Sequence, residues 1–190
     1  MKKLILSIAV FSLMAACNKE TKVDASATTS TADSATTDDS GVAEVATVPF
    51  EKIEWSPEET SKMLGKQNND TLYVMNFFAT WCGPCVKEIP HFKAKIAEMK
   101  GQPVKFTFVS LDERSEWDKS LPKFVAEHGL APNVVVLDGS KLTPEFFPAN
   151  FKEWDGGAIP FTFMRKGDKT DETLGMMSEE ALTEKINSFK

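Results

Sequence analysis

The chain has 190 residues, of which 42% are hydrophobic and 26% charged, a composition typical of a globular protein with one core of ordinary size. Its formal net charge of −6 disfavours a surface that binds nucleic acid. Two histidines and three cysteines provide few ligands for a metal cage, and no apolar run reaches the roughly 20 residues of a membrane-spanning helix. We therefore expect no nucleic acid, no metal and no other cofactor.

Residues 1–16 have the pattern of an export signal. Lys2 and Lys3 give a positive start, and residues 4–16 are apolar apart from two serines, which suits the core of a signal peptide. The run ends in LMAAC, and the small residues directly before Cys17 resemble a bacterial lipoprotein signal, which implies that Cys17 carries a lipid anchor. The alternative is an ordinary cleaved signal. Both interpretations imply an exported protein in an oxidising compartment.

A change of composition separates this signal from the rest of the chain. Residues 18–48 are rich in Thr, Ser, Ala and acidic side chains and contain no aromatic residue. Such a segment buries too little apolar surface to fold, so we predict that residues 17–48 are a flexible tether that spans about 30 Å. A glycosylated stalk is the alternative. The globular domain is predicted at residues 49–190.

The first elements of this domain are a short strand, a capped helix and a buried strand. FEKIEW alternates and predicts the short strand at residues 50–55. The SPEE sequence at residues 56–59 is a capping-box pattern with proline in the first turn, and it predicts a helix that ends near residue 66. The almost unbroken apolar run at residues 71–79 is typical of a central strand buried on both faces.

A helix is predicted next, from residue 84 to residue 99, with a kink at Pro90. PVKFTFVSL, residues 103–111, predicts a second buried strand. Helical spacing then continues over residues 115–128 and stops at Gly129.

The remainder of the chain keeps this alternation of strands and helices. The predicted elements are a strand at 133–137, a short helix at 143–151, strands at 159–164 and 169–175 joined by a hairpin, and a final helix at 179–189 capped by Ser178. The alternation predicts an α/β domain in which helices cover both faces of a central sheet.

The sequence ATWCGPCVKEIP contains two cysteines, Cys82 and Cys85, separated by Gly-Pro. Cys82 is predicted at the N-terminus of a helix, where free amide N–H groups and the helix dipole favour its thiolate. Cys85 lies in the first helical turn, close enough to form or break a disulfide. We predict a redox pair in which the more exposed Cys82 attacks and Cys85 resolves.

Three other interpretations of the cysteine pair are open. The pair could be a permanent structural disulfide. A zinc half-site would need two further ligands, but His91 and His128 are the only imidazoles and Cys17 lies across the predicted tether. A peroxidatic cysteine of the peroxiredoxin kind has Thr three residues before it; here Ala79 holds that place and Thr80 is one position off.

FFATWCGPC, which includes Trp81, resembles the active site of the thioredoxin superfamily. The continuation CVKEIP is similar to TlpA- and ResA-like membrane-anchored thiol–disulfide oxidoreductases, and the resemblance is most specific at residues 81–90 and 156–163. It implies a thioredoxin-like α/β fold, a central mixed sheet flanked by helices. Residues 112–157 are longer than the single crossover helix of a minimal thioredoxin fold, and they match the insertion that TlpA-like proteins have before the cis-proline loop.

The resemblance also implies roles for individual residues. GGAIPFTF matches the cis-proline loop, so the Ile159–Pro160 bond is expected to be cis and to offer an edge to the substrate backbone; an ordinary proline at a strand start is the alternative. Asn76 replaces the buried acid of ordinary cytosolic thioredoxins. Glu88 is implied to substitute for it, with a pKa raised by burial, and to exchange a proton with Cys85. A solvated helix carboxylate is the alternative.

The predicted function is therefore that of an exported, lipid-anchored thiol–disulfide oxidoreductase in the periplasmic cell envelope, on the inner or outer membrane. Gly-Pro between the cysteines resembles the reducing thioredoxins, whose reduction potential is about −270 mV, more than strong oxidants, whose potential is about −120 mV. Reduction of exported proteins is therefore the favoured direction. This implies a membrane thiol–electron donor as a partner. The rivals are a peroxiredoxin-like thiol peroxidase and a metallochaperone on the same fold.

Overall fold

The structure is a computed structural model that describes residues 49–190. The predicted signal peptide at 1–16, the predicted tether at 17–48 and Cys17 lie outside the described residues. Within 49–190, no helix combines the length and the apolar character needed to cross a membrane.

A six-stranded mixed sheet forms the centre of the domain. The strands are β1 Glu54–Trp55, β2 Leu72–Phe78, β3 Val104–Ser110, β4 Val134–Leu137, β5 Phe161–Lys166 and β6 Lys169–Leu174. Their order in the sheet is β1-β4-β3-β2-β5-β6. The central strand β2 pairs in parallel with β3 and antiparallel with β5, which confirms the predicted mixed sheet.

Helices pack on both faces of this sheet, as predicted. The helices are α1 Pro57–Leu64, α2 Gly83–Glu98, α3 Ser120–His128, α4 Phe146–Asn150 and α5 Glu179–Asn187. Successive side chains of β2 point to opposite faces. Val74 and Phe78 therefore enter the core shared with α2, α3 and α5, whereas Met75 and Phe77 enter the core shared with α1 and α4.

Several local predictions are confirmed by the hydrogen bonds. Ser56 Oγ accepts from the Glu59 amide at 3.1 Å and Glu59 Oε2 accepts from the Ser56 amide at 2.8 Å, which completes the capping box of α1. Ser178 caps α5 by accepting from the Ala181 amide at 3.2 Å. Gly129 ends α3 with a φ of 62°, a left-handed conformation that favours glycine.

Two element boundaries were predicted wrongly. The strand expected at residues 50–55 is limited to Glu54–Trp55, which pair with Val136 and Leu137 of β4. The helix expected from residue 115 begins at Ser120, after a 3₁₀ turn at Arg114–Glu116. Trp117 causes this delay: its side chain is 2% exposed, and its indole N–H donates to the Asp112 carbonyl at 2.8 Å.

The remaining helices differ less from expectation. α1 ends at Leu64, before the predicted residue 66, and α4 covers five residues inside the predicted 143–151. α2 is one continuous helix with Pro90 inside it. A proline removes a single backbone donor, so the hydrogen-bond ladder can continue on either side of it, and the kink expected at Pro90 stays a prediction.

Candidate functional site

The two cysteines lie at the start of α2 and form a disulfide, with 5.2 Å between their Cα atoms. Cys82 is the N-cap residue of the helix, and its sulfur accepts from the Cys85 amide N–H at 3.3 Å. Cys82 is 5% exposed and Cys85 is 1% exposed, so Cys82 is the more exposed of the two, as predicted, although both are buried in this oxidised form. The N–H donor and the helix N-terminus both favour a thiolate on Cys82 once the disulfide is reduced.

The loop that leads into β5 faces the disulfide. The Ile159–Pro160 peptide bond is cis, as the resemblance implied. The Ile159 carbonyl oxygen lies 3.7 Å from the Cys82 sulfur, and the Pro160 carbonyl accepts from the Gly175 amide at 2.8 Å. The chain therefore fixes a backbone carbonyl directly beside the sulfur predicted to attack.

An open groove of about 520 Å³ runs beside Cys82. Trp81, 71% exposed, and Pro84 line it on the helix side, and residues 156–159 line it on the loop side. Gly156 has a φ of 83°, and a Cβ added there would lie 2.3 Å from Cζ of Phe147, so only glycine fits at this position. The groove is consequently bounded by the loop at residues 156–159 on one side and by the exposed residues Trp81 and Pro84 on the other.

Glu88 lies on the inner face of α2, one turn beyond Cys85, with an exposed fraction of 0%. Its Oε1 accepts from Asn76 Nδ2 at 2.7 Å and its Oε2 accepts from the Met177 amide at 2.9 Å. Burial raises the pKa of Glu88 to about 7, and these two hydrogen bonds together with nearby His91 offset part of that rise. The alternative of a solvated helix carboxylate is therefore wrong.

The partners of Glu88 connect three parts of the fold. Asn76 Nδ2 lies 3.0 Å from Thr162 Oγ1, which joins β2 to β5. His91 Nδ1 lies 2.8 Å from the Met177 carbonyl, whose residue precedes α5. The sequence identified Asn76 and Glu88, but Thr162 and Met177 carry no local signal, since Thr162 meets Asn76 and Met177 meets the carboxylate only through the fold.

Asp112, at the end of β3, is a second buried carboxylate that the sequence interpretation missed. Both of its oxygens lie 3.1 Å from the Thr80 amide nitrogen, and Oδ1 accepts from Thr80 Oγ1 at 2.6 Å. Oδ2 accepts from Ser110 Oγ at 2.8 Å. A signal was available: the acid directly follows a buried parallel strand, and parallel neighbours such as β2 and β3 end at the same edge of a sheet, where the cysteines also lie.

The structure also bears on the rival interpretations. Within residues 49–190, no three His, Cys, Asp or Glu side chains come together closely enough to hold a metal ion. The Thr80 hydroxyl, one position from that of a peroxidatic site, donates to Asp112. The arrangement thus holds two sulfurs, a carboxyl group with a pKa near neutrality and an open groove.

Curated relatives of this chain are named as thiol–disulfide oxidoreductases. ResA of Bacillus thuringiensis (strain Al Hakam) is 26% identical over 110 residues, which cover 57% of this chain and 57% of the relative. Sporulation thiol-disulfide oxidoreductase A of Bacillus subtilis (strain 168) is 26% identical over 113 residues, covering 58% of this chain and 64% of the relative. The chain thus matches less than two thirds of the length of either protein. The predicted similarity to ResA is confirmed.

A solved structure supports the fold. The thiol:disulfide interchange protein, a thioredoxin family protein, of Chlorobium tepidum TLS has a TM-score of 0.50 and 24% sequence identity, over 63% of this chain and 79% of that one. The domain therefore has the thioredoxin-like fold that the sequence resemblance implied. The model of the AhpC/TSA family matches residues 51–170, more than half of the chain, and the protein belongs to this family.

Proposed function

We propose that the protein is a thiol–disulfide oxidoreductase that reduces disulfides of exported proteins through Cys82 and Cys85. The observation that carries this proposal is the pairing of the two sulfurs at the N-terminus of α2, beside an open groove. The Cys82 sulfur lies 3.7 Å from the Ile159 carbonyl oxygen. A buried structural disulfide needs no such groove. The names of the relatives support the same chemistry.

In the first step, the Cys82 thiolate attacks one sulfur of a client disulfide. The client S–S bond breaks, a mixed disulfide forms between Cys82 and the client, and the second client sulfur leaves as a thiolate that takes up a proton. Trp81 offers an exposed apolar surface to the client, and Ile159, joined to Pro160 by the cis bond, offers its backbone carbonyl beside the reacting sulfur.

In the second step, Cys85 releases the client. Its thiol must first lose a proton, and Glu88, one helical turn away with a pKa of about 7, is the group we assign to receive it. The Cys85 thiolate then attacks the Cys82 sulfur, the mixed disulfide breaks, and the second client sulfur leaves as a thiolate that takes up a proton. The client has gained two electrons and two protons, and the protein has become the disulfide seen in the structure.

A reductant that works outside the cytoplasm needs a supply of electrons, so we propose a membrane thiol–electron carrier as the donor. We further propose that the chain is exported to the periplasmic cell envelope and is held at a membrane by a lipid on Cys17. The LMAAC sequence supports this location. Mass spectrometry of the membrane fraction tests it: the mature chain should begin at a lipid-bearing Cys17, and a soluble mature chain that begins elsewhere contradicts the anchor.

Reduction of insulin disulfides tests the activity. Residues 49–190 with dithiothreitol as electron source should accelerate precipitation of the insulin B chain, and Cys82→Ala and Cys85→Ala should not. Wild-type protein that leaves insulin intact contradicts the proposal. Consumption of hydrogen peroxide, without reduction of insulin, would indicate the thiol peroxidase. Stoichiometric metal bound to the reduced protein would indicate the metallochaperone.

A further inference from the structure

Asp112 is buried beside the active disulfide, yet the proposed reaction does not use it. Its side chain belongs to a residue that is 1% exposed, at the point where β3 ends. Burial of a carboxylate is costly unless its oxygens receive hydrogen bonds. Asp112 receives them from Thr80 and Ser110, and within residues 49–190 it has no ion pair with Lys, Arg or His.

Most of these bonds hold the loop that carries Cys82. Thr80 gives Asp112 both its backbone N–H and its hydroxyl, and Thr80 stands two residues before Cys82. The Cys82 amide donates to the Ala79 carbonyl at 3.1 Å. The loop between β2 and α2 is therefore hydrogen-bonded at Thr80 to a side chain in the segment that directly follows β3.

Asp112 is itself held in place from two sides. Its amide lies 3.2 Å from Ser110 Oγ, and its carbonyl accepts from the buried Trp117 indole at 2.8 Å. The preceding Leu111 amide donates to the Phe78 carbonyl at 2.8 Å, which extends the contact between β3 and β2 up to the loop. These contacts fix Asp112 relative to β3, and through Thr80 they fix the loop that carries the Cys82 sulfur.

We propose that Asp112 is a positioning residue that keeps the Cys82 sulfur next to the Cys85 N–H when the pair is reduced. The proposal rests on the redox role of the pair stated above. In the oxidised protein the S–S bond itself holds Cys82 close to Cys85. In the reduced protein that bond is absent, and the loop alone places the thiolate where it accepts from the Cys85 amide. Asp112 therefore stabilises the reduced form more than the oxidised form.

The equilibrium of residues 49–190 with reduced and oxidised glutathione tests this inference. For Asp112→Ala we expect a shift of at least threefold toward the disulfide, because the thiolate loses its fixed donor. Asp112→Asn keeps an oxygen for the Thr80 amide and should stay within twofold of the wild type. A role in stability alone would weaken both redox forms equally and would leave the equilibrium constant unchanged, which would overturn the proposal.

A shift toward the dithiol in both variants would also overturn it, since that is the effect expected from removing a nearby negative charge. If Asp112→Ala does not fold, Thr80→Val and Ser110→Ala decide the matter. Each removes one hydroxyl that donates to Asp112, but only Thr80 belongs to the loop. Thr80→Val should shift the equilibrium about twofold toward the disulfide and Ser110→Ala should not; equal behaviour contradicts the assignment.

This readout is independent of the proposed function. It measures only the exchange of Cys82 and Cys85 with a small thiol and requires no client protein. A wild type that fails to reduce insulin but responds to Asp112 substitution as expected would contradict the function and support the positioning role. A wild type that reduces insulin but whose glutathione equilibrium does not respond to Asp112 substitution would support the function and contradict the positioning role.

Discussion

Two buried carboxylates flank the active disulfide, and their surroundings differ. Glu88 is 0% exposed and accepts from one side-chain amide and one backbone amide, on Asn76 and Met177. Asp112 is 1% exposed and accepts from the backbone and hydroxyl of Thr80 and from Ser110. Glu88 is attached to the helix that carries the cysteines, whereas Asp112 lies in the segment that follows β3 and reaches the loop before the cysteines.

The difference shows how burial can serve two purposes at one site. The two donors on Glu88 offset only part of the cost of burial, so its pKa is raised to about 7 and it can exchange a proton near neutral pH. Asp112 accepts its hydrogen bonds mainly from Thr80, in the loop before Cys82, and so fixes the position of the Cys82 sulfur. We therefore expect substitutions at Asp112 to affect structure first and substitutions at Glu88 to affect pH dependence first.

The largest effect on stability is expected from Asp112→Ala. The change leaves the Thr80 N–H, the Thr80 hydroxyl and the Ser110 hydroxyl without their acceptor, and each unsatisfied buried donor costs about 1–3 kcal/mol. We expect the free energy of unfolding to fall by about 4 kcal/mol, measured with urea at pH 7. Glu113→Ala removes an exposed neighbouring carboxylate and is the control; equal losses would contradict the comparison.

Glu88 should give the next largest effect, as a pH dependence of stability. Its folded pKa is raised from 4.5 to about 7, so the folded state binds the proton more tightly than the unfolded state. The stabilisation is fully present below pH 4.5 and is lost as the pH rises through 7, a change of about 3 kcal/mol. Urea unfolding of the wild type and of Glu88→Gln between pH 4 and 8 should diverge by this amount; parallel curves would disprove it.

The same residue should shape the rate of thiol exchange. Above a pH of about 7 the Glu88 carboxylate can accept the Cys85 proton, so the rate of client release should rise through that pH. Glu88→Gln should fold, lose this rise and react about tenfold more slowly at pH 7.5, in stopped-flow measurements of the mixed disulfide. An overlay of the two pH–rate profiles would leave Glu88 without a part in the exchange.

Trp81→Ala should have the smallest effect on stability and a visible effect on the client. Because Trp81 is 71% exposed, the free energy of unfolding should change by no more than about 0.5 kcal/mol. An exposed aromatic at a binding groove often contributes strongly to binding, so KM for insulin should rise about tenfold while kcat stays within twofold. Ile53→Ala, which removes another exposed apolar side chain, should change neither constant.

The sequence predicted the elements that depend on local pattern. The apolar runs of β2 and β3, the capping box at Ser56 and the cysteine pair at the start of α2 all lie where their neighbours in the chain indicated. The resemblance added the cis bond before Pro160 and drew attention to Glu88. These features are encoded within a few residues or within one recognisable motif.

The parts that the sequence did not predict depend on contacts between distant residues. Glu88 meets the Met177 amide 89 residues along the chain, and Asp112 meets Thr80 across 32 residues. The start of α3 was misplaced because Trp117 is buried in the core that also holds residues of α2 and α5, and the residues before it form a 3₁₀ turn. Every residue except proline has a backbone N–H and a carbonyl, so the identity of the residue does not show which of these groups will bond to a distant side chain. Only the fold shows it.

Capture of mixed disulfides tests the central claim most directly. Cys82 is proposed to attack and Cys85 to resolve, so Cys85→Ala expressed in its own host should accumulate covalent complexes with client proteins. A reductant should dissolve these complexes, and Cys82→Ala should form few of them. Mass spectrometry of the trapped partners would identify the clients. Complexes that form only on Cys85 would reverse the roles, and their absence from both variants would show that the pair is a structural disulfide.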